Sequence, residues 1–501
     1  MQTISDKAIR SRRSKGCLGC RKSKVKCSEE QPRCRRCARQ GSQCHYPDPL
    51  DIDFRNENNK AAVRAESLWR QRVTVPNLLK APSPGPDDLQ HRALAAFYRD
   101  FGCTAEVSTP WIEFFQMLPN LYRRAAGNPS SAQAIRALAL AHYARQQQQI
   151  SQLEILARTE YSKALNLIRS QLQKRKGVPC TDVIVSVSLM GLFETILPSS
   201  SSAGTDHRSW QAHQHGAISM IQQQAESHAT DASAVEPRLL RFMYLLMIVN
   251  CVNNRSRPLL PLHLWTGVVD SRLPAARLFR MMYSLAQWQA DIDGWIEEGQ
   301  RSEHSNSNVD YVQDMTTRLS LADAELQEWE AQLPPTFHFY ERPSTPADHV
   351  MLQWPGAPRR IYVYESCWRA IPRTFCFAVR ILLSQNLLRC YRWVLERGPR
   401  SGMLKEYQAA AVQTIVEMIA HISRSVDAVV GSSGLSAGDG RNMGEGEAMR
   451  GLAIVWPLSA ASSALLRNRG VLDRVGDERA RWVEDALLYV RRLVGNREPT
   501  E

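Results

Sequence analysis

The sequence predicts a small metal-nucleated module followed by a large all-α domain. Half of the twelve cysteines lie between positions 17 and 44, a density typical of metal binding. From Leu89 onward, apolar residues recur at helical spacing, and no stretch shows the pattern of a parallel sheet. A chain of 501 residues also exceeds what one hydrophobic core usually serves, so more than one domain is expected.

The composition argues against several classes of protein. With 44% hydrophobic and 23% charged residues, the chain has the balance of a globular protein. Its longest strictly apolar run, Phe242 to Val249, is far shorter than the roughly 20 residues of a membrane-spanning helix. The N-terminal residues carry charge with no apolar stretch behind them, so no secretory signal is predicted. We therefore expect an intracellular protein with no membrane partner, in which clustered cysteines serve metal binding or catalysis rather than disulfides.

Positive charge is concentrated at the N-terminus. Thirteen Lys and Arg residues against Asp6, Glu29 and Glu30 between positions 1 and 47 account for ten of the chain's thirteen net positive charges. The rest of the chain is nearly neutral. The N-terminus is therefore the part expected to attract a polyanion.

The six clustered cysteines form two equal halves. Each half has a Cys-x2-Cys pair followed by a third cysteine after six further residues, and together they run Cys17, Cys20, Cys27, Cys34, Cys37 and Cys44. Three thiolates therefore lie near one point in each half, whereas a structural zinc ion requires four ligands. Six sulfurs satisfy two tetrahedral zinc ions only if two of them bridge both metals. The repeat suggests one bridging cysteine per half.

This spacing resembles that of the fungal binuclear zinc-cluster (Zn2Cys6) transcription factors. Every interval between the cysteines falls within the family pattern, and Pro32 stands where the family usually has a loop proline. The resemblance implies a module of two short helices around two Zn²⁺ ions, with Cys17 and Cys34 as the bridging ligands. It also implies a nuclear, sequence-specific regulator of genes transcribed by RNA polymerase II, controlling a metabolic or secondary-metabolite gene set.

The segment from Cys20 to Cys27 resembles the family's basic helix. Six thiolates and two Zn²⁺ ions sum to a charge of −2, so the flanking cations must supply the attraction to DNA. A short helix that begins at the second ligand can enter the major groove, where a lysine can reach the guanine acceptors. The resemblance assigns base reading of a CGG-like triplet to Lys24. The other candidate DNA contacts are Arg21, Lys22, Ser23, Lys26, Arg12, Arg13 and Lys15.

Two residues depart from the family pattern, and the cysteines taken alone are compatible with other uses. Ser23 stands where many members have a cation, and this difference is expected either to remove a phosphate contact or to alter the preference for flanking bases. Ser28 stands where many members have Asp, which removes a common local partner of the helix and loop. A zinc store or a redox relay would also use six cysteines, but neither explains the four cations between Cys20 and Cys27. The basic run from Arg10 to Lys15 suits a solvated tail, a nuclear-targeting signal or a phosphate-binding arm.

Four regions are predicted along the chain. They are a basic tail at 1–13, the zinc module at 14–47, a flexible linker at 48–88 and an all-α regulatory domain at 89–501. The linker is polar and ends in a run rich in proline. Its apolar residues Val63, Leu68, Trp69, Val73 and Val75 do not hold a heptad repeat. A homodimer remains possible, but the linker shows no dimer element.

Several features of the large domain lead to specific expectations. The apolar run from Val183 to Leu197 is long enough for a buried helix, and a second helix should end at Arg397, before Gly398-Pro399. A final helix is expected near Glu478 to Leu493. The region also resembles, more loosely, the helical regulatory domain of many such fungal factors, through Ala137–His142, Trp210–Ala217 and Ile454–Leu458.

Other candidate sites in the large domain have simpler interpretations. His213 and His215 are two residues apart and do not share a helix face, so packing is favoured over metal binding for His213. The short glutamine runs 146–149 and 222–224 are expected on solvated faces. The remaining cysteines lack ligand spacing and are expected to be buried, namely Cys103, Cys180, Cys251, Cys367, Cys376 and Cys390.

Two further functions are open to the large domain. An enzyme with an appended DNA-targeting module is disfavoured, because the common phosphate, metalloprotease, hydrolase and dinucleotide motifs are missing from the sequence. A domain that senses a small metabolite fits a large helical fold. The sequence shows no convergent polar set that would indicate its pocket, so the sequence identifies no small-molecule effector.

Overall fold

The computed structural model divides the chain into two compact units, Met1–Ser83 and Pro84–Glu501. It describes residues 16–46, 85–102, 109–124, 129–147, 150–174, 179–197, 206–227, 236–270, 273–301, 307–346, 348–397, 402–431 and 446–494. The predicted basic tail, the predicted DNA contacts Arg12, Arg13 and Lys15, and most of the predicted linker lie outside these ranges.

Within residues 16–46, the described part of the first unit, two short helices are related by the cysteine repeat. Helix α1 spans Leu18–Lys22 and helix α2 spans Arg35–Arg39, so each begins one residue after the first cysteine of its half. Both helices are followed by a similar turn, in which a backbone N–H bonds to a carbonyl five residues earlier: Val25 to Cys20 and Ser42 to Cys37, each at 3.1 Å. This is the six-to-one bond of a Schellman motif.

The prediction of a basic helix that starts at Cys20 and runs towards Cys27 is wrong in its bounds. Helix α1 starts before Cys20 and ends at Lys22. Ser23 and Lys24 form the turn that follows, and residues 25–30 have no regular structure. Lys24 has a φ of 52°, because the chain reverses there to bring Cys27 back towards the other thiols.

The second unit is built from long helices. The helices in its described residues are α3 Pro86–Phe101, α4 Pro110–Arg123, α5 Pro129–Gln146, α6 Ile150–Lys174, α7 Thr181–Ile196, α8 Asp206–Ser227, α9 Pro237–Asn254, α10 Leu262–Thr266, α11 Pro274–Arg301, α12 Ser307–Ala331, α13 Cys367–Arg397, α14 Gly402–Val430, α15 Glu447–Arg467, α16 Arg469–Val475 and α17 Asp477–Val494. The three specific helix predictions are confirmed by α7, by the end of α13 and by α17.

One hydrophobic core runs through this unit. Helix α5 packs against α3, α6 and α7, and α13 packs against α12, α14 and α15. Helix α7 is buried on nearly all sides, from Val183 to Phe193, which explains why its sequence lacks the polar stripe of a surface helix. Helix α15 is apolar and long enough to cross a membrane, but 67% of its most apolar window is buried, which is typical of a core helix.

A β-hairpin interrupts the helices and was not predicted. Strands β1 (Phe339–Pro343) and β2 (Arg360–Tyr364) pair in antiparallel register, with Phe339 opposite Tyr364. Strand β2 packs against α14, and the rings of Phe339 and Tyr362 stack at 3.9 Å between centroids. Two 3-10 turns, Pro335–Phe337 and Val350–Gln353, flank and connect the strands. The described part of the unit is therefore mainly α-helical, with one short sheet.

The smaller predictions for this unit have mixed outcomes. His213 bonds through Nε2 to the hydroxyl of Tyr161 at 2.9 Å, which confirms its packing role, while His215 is exposed. Gln224 is buried, so the prediction of a solvated face is wrong for it. Cys251, Cys376 and Cys390 are buried as predicted, Cys180 and Cys367 are half-buried, and Cys103 lies outside the described residues.

Candidate metal centre and nucleic-acid interface

The six thiols of the first unit form two overlapping groups of four. Sulfur atoms within 4.8 Å of one another belong to Cys17, Cys20, Cys27 and Cys34 in one group and to Cys17, Cys34, Cys37 and Cys44 in the other. Cys17 and Cys34 are therefore shared by both groups. They are the two positions that the family resemblance assigns to bridging ligands.

The distances between the sulfurs suit zinc. The Sγ atom of Cys17 lies 3.8 Å from that of Cys34 and 3.7 Å from that of Cys37, and Cys20 lies 3.7 Å from Cys34. Four sulfurs bound tetrahedrally to zinc at about 2.3 Å lie about 3.8 Å apart. The donor set is all sulfur, which zinc accepts readily. The residues present therefore fit the metal.

The start of each helix favours a thiolate at the shared position. The backbone N–H of Cys37 lies 3.5 Å from Cys34 Sγ, at the N-terminus of α2. This backbone hydrogen bond lowers the pKa of Cys34, and the corresponding bond from the N–H of Cys20 lowers the pKa of Cys17. Unpaired N–H groups at a helix N-terminus stabilise negative charge. Both halves of the repeat thus prepare the same cysteine for ionisation.

The remaining thiols show why a cation is needed among them. Burial raises the pKa of Cys20, and the sulfurs of Cys17 and Cys34 raise it further. Six thiolates so close together would repel one another strongly. A thiol that binds a metal ion is deprotonated, and the positive charge of the metal offsets the repulsion between the resulting thiolates.

Close packing fixes the cysteine-bearing segments. A Cβ atom at Gly16 would lie 2.9 Å from the Cβ of Cys27, so a larger residue there would displace this ligand. Tyr46, which sequence reasoning missed, donates its hydroxyl to the carbonyl of Glu30 at 2.9 Å and lies 3.8 Å from the sulfur of Cys27. The sequence feature that could have indicated Tyr46 is its position two residues after Cys44, the last cysteine of the module.

Ser28 forms a local hydrogen bond, although the family pattern, which has Asp at this position, led us to expect that the partner would be missing. Its hydroxyl oxygen accepts a hydrogen bond from the backbone N–H of Arg35 at 2.9 Å. Arg35 is the first residue of α2, so Ser28 satisfies one of the N–H groups that a helix leaves free at its start. The expectation that replacing Asp with Ser removes the local partner is wrong.

Three predicted DNA contacts form an exposed basic surface. Lys22, Lys24 and Lys26 are all exposed, and within residues 16–46 none of them pairs with an acidic side chain. Arg35 differs, because its guanidinium lies 2.7 Å from the carboxylate of Glu30. Ser23 is exposed beside Lys24. The side chain of Arg21 lies outside the described part of the module.

Comparison with known proteins gives two family matches. A family described as "Fungal specific transcription factor domain" matches residues 115–390, more than half of the chain. A family described as "Fungal Zn(2)-Cys(6) binuclear cluster domain" matches residues 15–52 and so includes all six cysteines of the module.

One curated relative has a shorter match. The "Geodin cluster transcription factor" of Aspergillus terreus is 34% identical over 70 residues, which make up 14% of this chain and 31% of the relative. The match therefore covers less than a third of the relative's length. No solved structure matches the chain.

Proposed function

The chain belongs to the fungal-specific transcription factors with a Zn(2)-Cys(6) binuclear cluster, and we propose that it recognises CGG-containing duplex DNA through a module that holds two zinc ions. Proteins of this family are zinc-binding, DNA-binding regulators and not enzymes. The observation that carries the proposal is the pair of overlapping thiol groups in a module that also carries the exposed side chains of Lys22, Lys24 and Lys26.

We assign one zinc ion to each thiol group. One ion is held by Cys17, Cys20, Cys27 and Cys34, and the other by Cys17, Cys34, Cys37 and Cys44. The zinc ions are structural: they neutralise most of the thiolate charge and hold α1 and α2 together. The distances of 3.7–3.8 Å among the sulfurs of Cys17, Cys20, Cys34 and Cys37 and the grouping of all six thiols support this assignment.

Base reading is assigned to Lys24. Its ammonium group would donate to the O6 and N7 atoms of a guanine in the major groove. Lys22, Lys26 and Arg21 would contact phosphates, as would Ser23 and the preceding residues Arg12, Arg13 and Lys15. The exposure of Lys22, Lys24 and Lys26 and the lack of acidic partners within the described module support these roles.

The biological setting is also a proposal. We assign the protein to the nucleus and to regulation of RNA polymerase II genes in a metabolic or secondary-metabolite set. The name of the Aspergillus terreus relative, a geodin cluster transcription factor, supports the second part. We propose domain divisions at 1–13, 14–47, 48–88 and 89–501 and no membrane partner, and the DNA sites that the protein selects distinguish a monomer from a homodimer.

Selection of bound duplexes from a random library by the full-length protein tests base recognition. The expected result is a CGG-like triplet in the enriched sites, with one triplet for a monomer and two at fixed spacing for a dimer. Binding should weaken steeply with salt, because phosphate contacts release counterions. Enrichment of no common triplet would contradict the proposal.

Metal analysis of cysteine variants tests the zinc assignment. The wild type should contain two zinc ions per chain. Cys20→Ser removes a ligand from one ion, whereas Cys17→Ser removes a ligand from both and should reduce the zinc content more. Cys251→Ser, at a buried cysteine outside the module, is the matched control and should retain two ions. Equal zinc contents for Cys17→Ser and Cys20→Ser would contradict bridging.

A further inference from the structure

A large open cleft lies within the second unit. Its volume is about 910 Å³, within the range of roughly 300 to 1,000 Å³ that small-molecule sites occupy. Three segments of chain form it: residues 356–360 before and at the start of strand β2, residues 416–424 of α14, and the corner between α16 and α17 at residues 474–481. No described residue of the zinc module lines it.

The lining of this cleft, which we call the arginine cleft, is strongly basic. Two carboxylates, Asp477 and Glu478, line it together with six arginines, namely Arg359, Arg360, Arg424, Arg474, Arg479 and Arg481. The arginines come from all three segments, so they surround the space. A set of guanidinium groups around one cavity favours an anion, because arginine binds carboxylate and phosphate through two parallel hydrogen bonds.

Protein carboxylates leave much of this charge unbalanced. Arg360 and Arg424 share one acid, Glu341, at 3.3 and 3.5 Å. Arg479 is half-buried, and its closest acceptor among the described residues is the carbonyl of Ala357 at 3.4 Å. Burial and the nearby Arg424 lower the pKa of Arg479. Arg359 has an exposed side chain with no ion pair in the described part of the unit.

The remaining lining is apolar. Val416, Ile419 and Ala420 on α14 and Val475 at the end of α16 contribute hydrocarbon surface to the same space. An inorganic anion would leave this surface in contact with water. A ligand with an apolar body and one or more acidic groups would cover the surface and pair with the arginines at the same time.

The walls of the cleft are fixed by packing. Gly356 has a φ of 78°, and a Cβ atom there would lie 2.1 Å from the carbonyl oxygen of Glu478. The loop is thus pressed directly against the first turn of α17. The indole N–H of the buried Trp482 donates to the carbonyl of Met351 at 2.8 Å, which fastens the same helix to the connection between the strands. The site is therefore formed before any ligand binds.

We propose that the arginine cleft binds a small organic anion, with carboxylate or phosphate groups attached to an apolar body, as an effector of the regulatory domain. The sequence alone did not indicate a group of charged residues that could line a ligand pocket. The fold brings such a group together here from three distant segments. The cleft gives the domain a place to sense the concentration of an acidic metabolite. The binding chemistry of the site is independent of the zinc module.

Calorimetric titration of the zinc-loaded full-length protein tests the proposal. The probes are phenyl phosphate, inorganic phosphate and benzyl alcohol, at a physiological salt concentration that suppresses diffuse binding to the basic N-terminus. Phenyl phosphate should bind at one saturable site and more tightly than inorganic phosphate, while benzyl alcohol should not bind detectably. Equal affinity for the two phosphates, or no saturable binding of phenyl phosphate, would overturn the proposal.

Single variants locate the site. Arg424→Gln and Arg479→Gln should each weaken phenyl phosphate binding by about tenfold, the effect of losing one charge-assisted hydrogen bond. Arg359→Gln, at an exposed side chain, should weaken binding without affecting the fold. Arg492→Gln, on α17 but outside the cleft, is the matched control and should bind as the wild type does. Unchanged affinity in all three cleft variants would overturn the proposal.

Two further measurements separate this proposal from other interpretations. Binding of a hexaglutamate peptide at the cleft in place of phenyl phosphate would assign it to an acidic protein partner and overturn the small-molecule proposal. CGG binding by Arg359→Gln without ligand should match that of the wild type. A failure of CGG recognition in the wild type would therefore contradict the proposed DNA target alone, and would not affect the result for the cleft.

Discussion

Lys24 carries the proposed base-reading ammonium group on a backbone conformation that glycine adopts most easily. Its φ of 52° matches the φ of 61° at Gly41, the residue seventeen positions later in the second half of the repeat. A side chain in this left-handed region costs about 1 kcal/mol relative to glycine. The module thus has a strained lysine where its own repeat has glycine, which supports the functional role proposed for the lysine side chain.

The variant Lys24→Gly should separate stability from recognition. Relief of the backbone strain should stabilise the folded module by up to about 1 kcal/mol, so zinc transfer to a chelator should be no faster than in the wild type. Discrimination between CGG and scrambled duplexes should fall by about 1–3 kcal/mol, the value of a good base contact. Fluorescence anisotropy of labelled duplexes measures the affinities.

Lys26→Ala is the control for this experiment. Lys26 is an exposed cation after the turn, so its loss should weaken binding to both duplexes alike and reduce the slope of affinity against salt by about one charge. Faster zinc loss in Lys24→Gly, or unchanged discrimination, would contradict the role assigned to Lys24.

At this scale the sequence predicted residue types better than their conformations. The cysteine set follows from spacing along the chain, which is visible in the sequence. The turn at Lys24 depends on the hydrogen bond from Val25 to Cys20, and the bond from Arg35 to Ser28 spans seven residues. Neither bond has its own spacing signal. Alignment of the two halves would have paired Lys24 with Gly41 and indicated the turn.

At the level of elements, a buried charged group joins α3 to α5. Asp100 on α3 accepts hydrogen bonds from His142 Nε2 at 2.8 Å and Gln146 Nε2 at 2.5 Å, both on α5, and from Arg99 Nε at 2.6 Å. Burial raises the pKa of Asp100, but the hydrogen bonds from His142, Arg99 and Gln146 outweigh it and lower the pKa to about 2. The folded protein thus holds Asp100 as a carboxylate.

Asp100→Asn should destabilise the α3–α5 contact. The folded pKa lies below the ordinary value, so the carboxylate stabilises the fold fully above about pH 4, and this contribution is lost as the pH falls through about 2. We expect the variant to lower the free energy of unfolding at pH 7 by about 1–3 kcal/mol and to show a weaker dependence on pH below 4. Urea unfolding followed by circular dichroism measures both.

Asp88→Asn is the matched control on the same helix. Asp88 is exposed and pairs with Arg92 at 2.9 Å, an arrangement that contributes at most about 1 kcal/mol. A loss of stability in Asp88→Asn as large as that in Asp100→Asn would contradict the role assigned to the buried network.

Gly356 is the second element-scale test, because it joins the loop before β2 to the start of α17. Gly356→Ala would force a Cβ atom to within 2.1 Å of the Glu478 carbonyl oxygen, so the loop or the helix must move. We expect a loss of about 2–4 kcal/mol in the free energy of unfolding, together with weaker phenyl phosphate binding.

The control for Gly356→Ala is Gly294→Ala in α11. Apart from the adjoining backbone of α11 itself, no described atom lies within 4 Å of the added Cβ atom at that position, so the variant should be more stable by about 0.5–1 kcal/mol. Equal stability of Gly356→Ala and the wild type would show that the loop is not held as described.

Element prediction failed where short segments depend on tertiary contacts. Strand β2, Arg-Ile-Tyr-Val-Tyr, has the β-branched and aromatic residues typical of strands. It is only five residues long and stands beside a 31-residue helix, α13. Its partner β1 contains a proline and charged residues, so the pairing depends on the packing of β2 against α14. Longer elements such as α7 were predicted because their length alone excludes a strand.

At the scale of the whole molecule, the sequence predicted two kinds of unit but not the arrangement of helices. Composition and charge distinguish the cysteine-rich N-terminus from the helical remainder. Which helices become neighbours depends on how side chains from distant segments fit together, as when α13 packs against both α14 and α15. The arginine cleft has the same origin, since its six arginines lie in separate parts of the chain and meet only after folding.

The two units have cores of different kinds, and this difference predicts the effect of removing zinc. Among the described residues of the module, the buried core consists of Cys17, Cys20, Cys34 and Cys37. The second unit has a continuous hydrophobic core of its own. A module whose core is made of metal ligands unfolds when the metal is removed, whereas a hydrophobic core does not depend on zinc.

Treatment of the full-length protein with EDTA should therefore abolish binding to CGG duplexes while leaving the main thermal transition of the helices unchanged. Circular dichroism at 222 nm measures the transition, and anisotropy measures DNA binding on the same sample. Addition of zinc should restore binding, because refolding requires only the metal and the reduced thiols. A large drop in the main transition temperature after EDTA treatment would show that the second unit depends on the zinc module, and retained CGG binding would show that recognition does not require the metal.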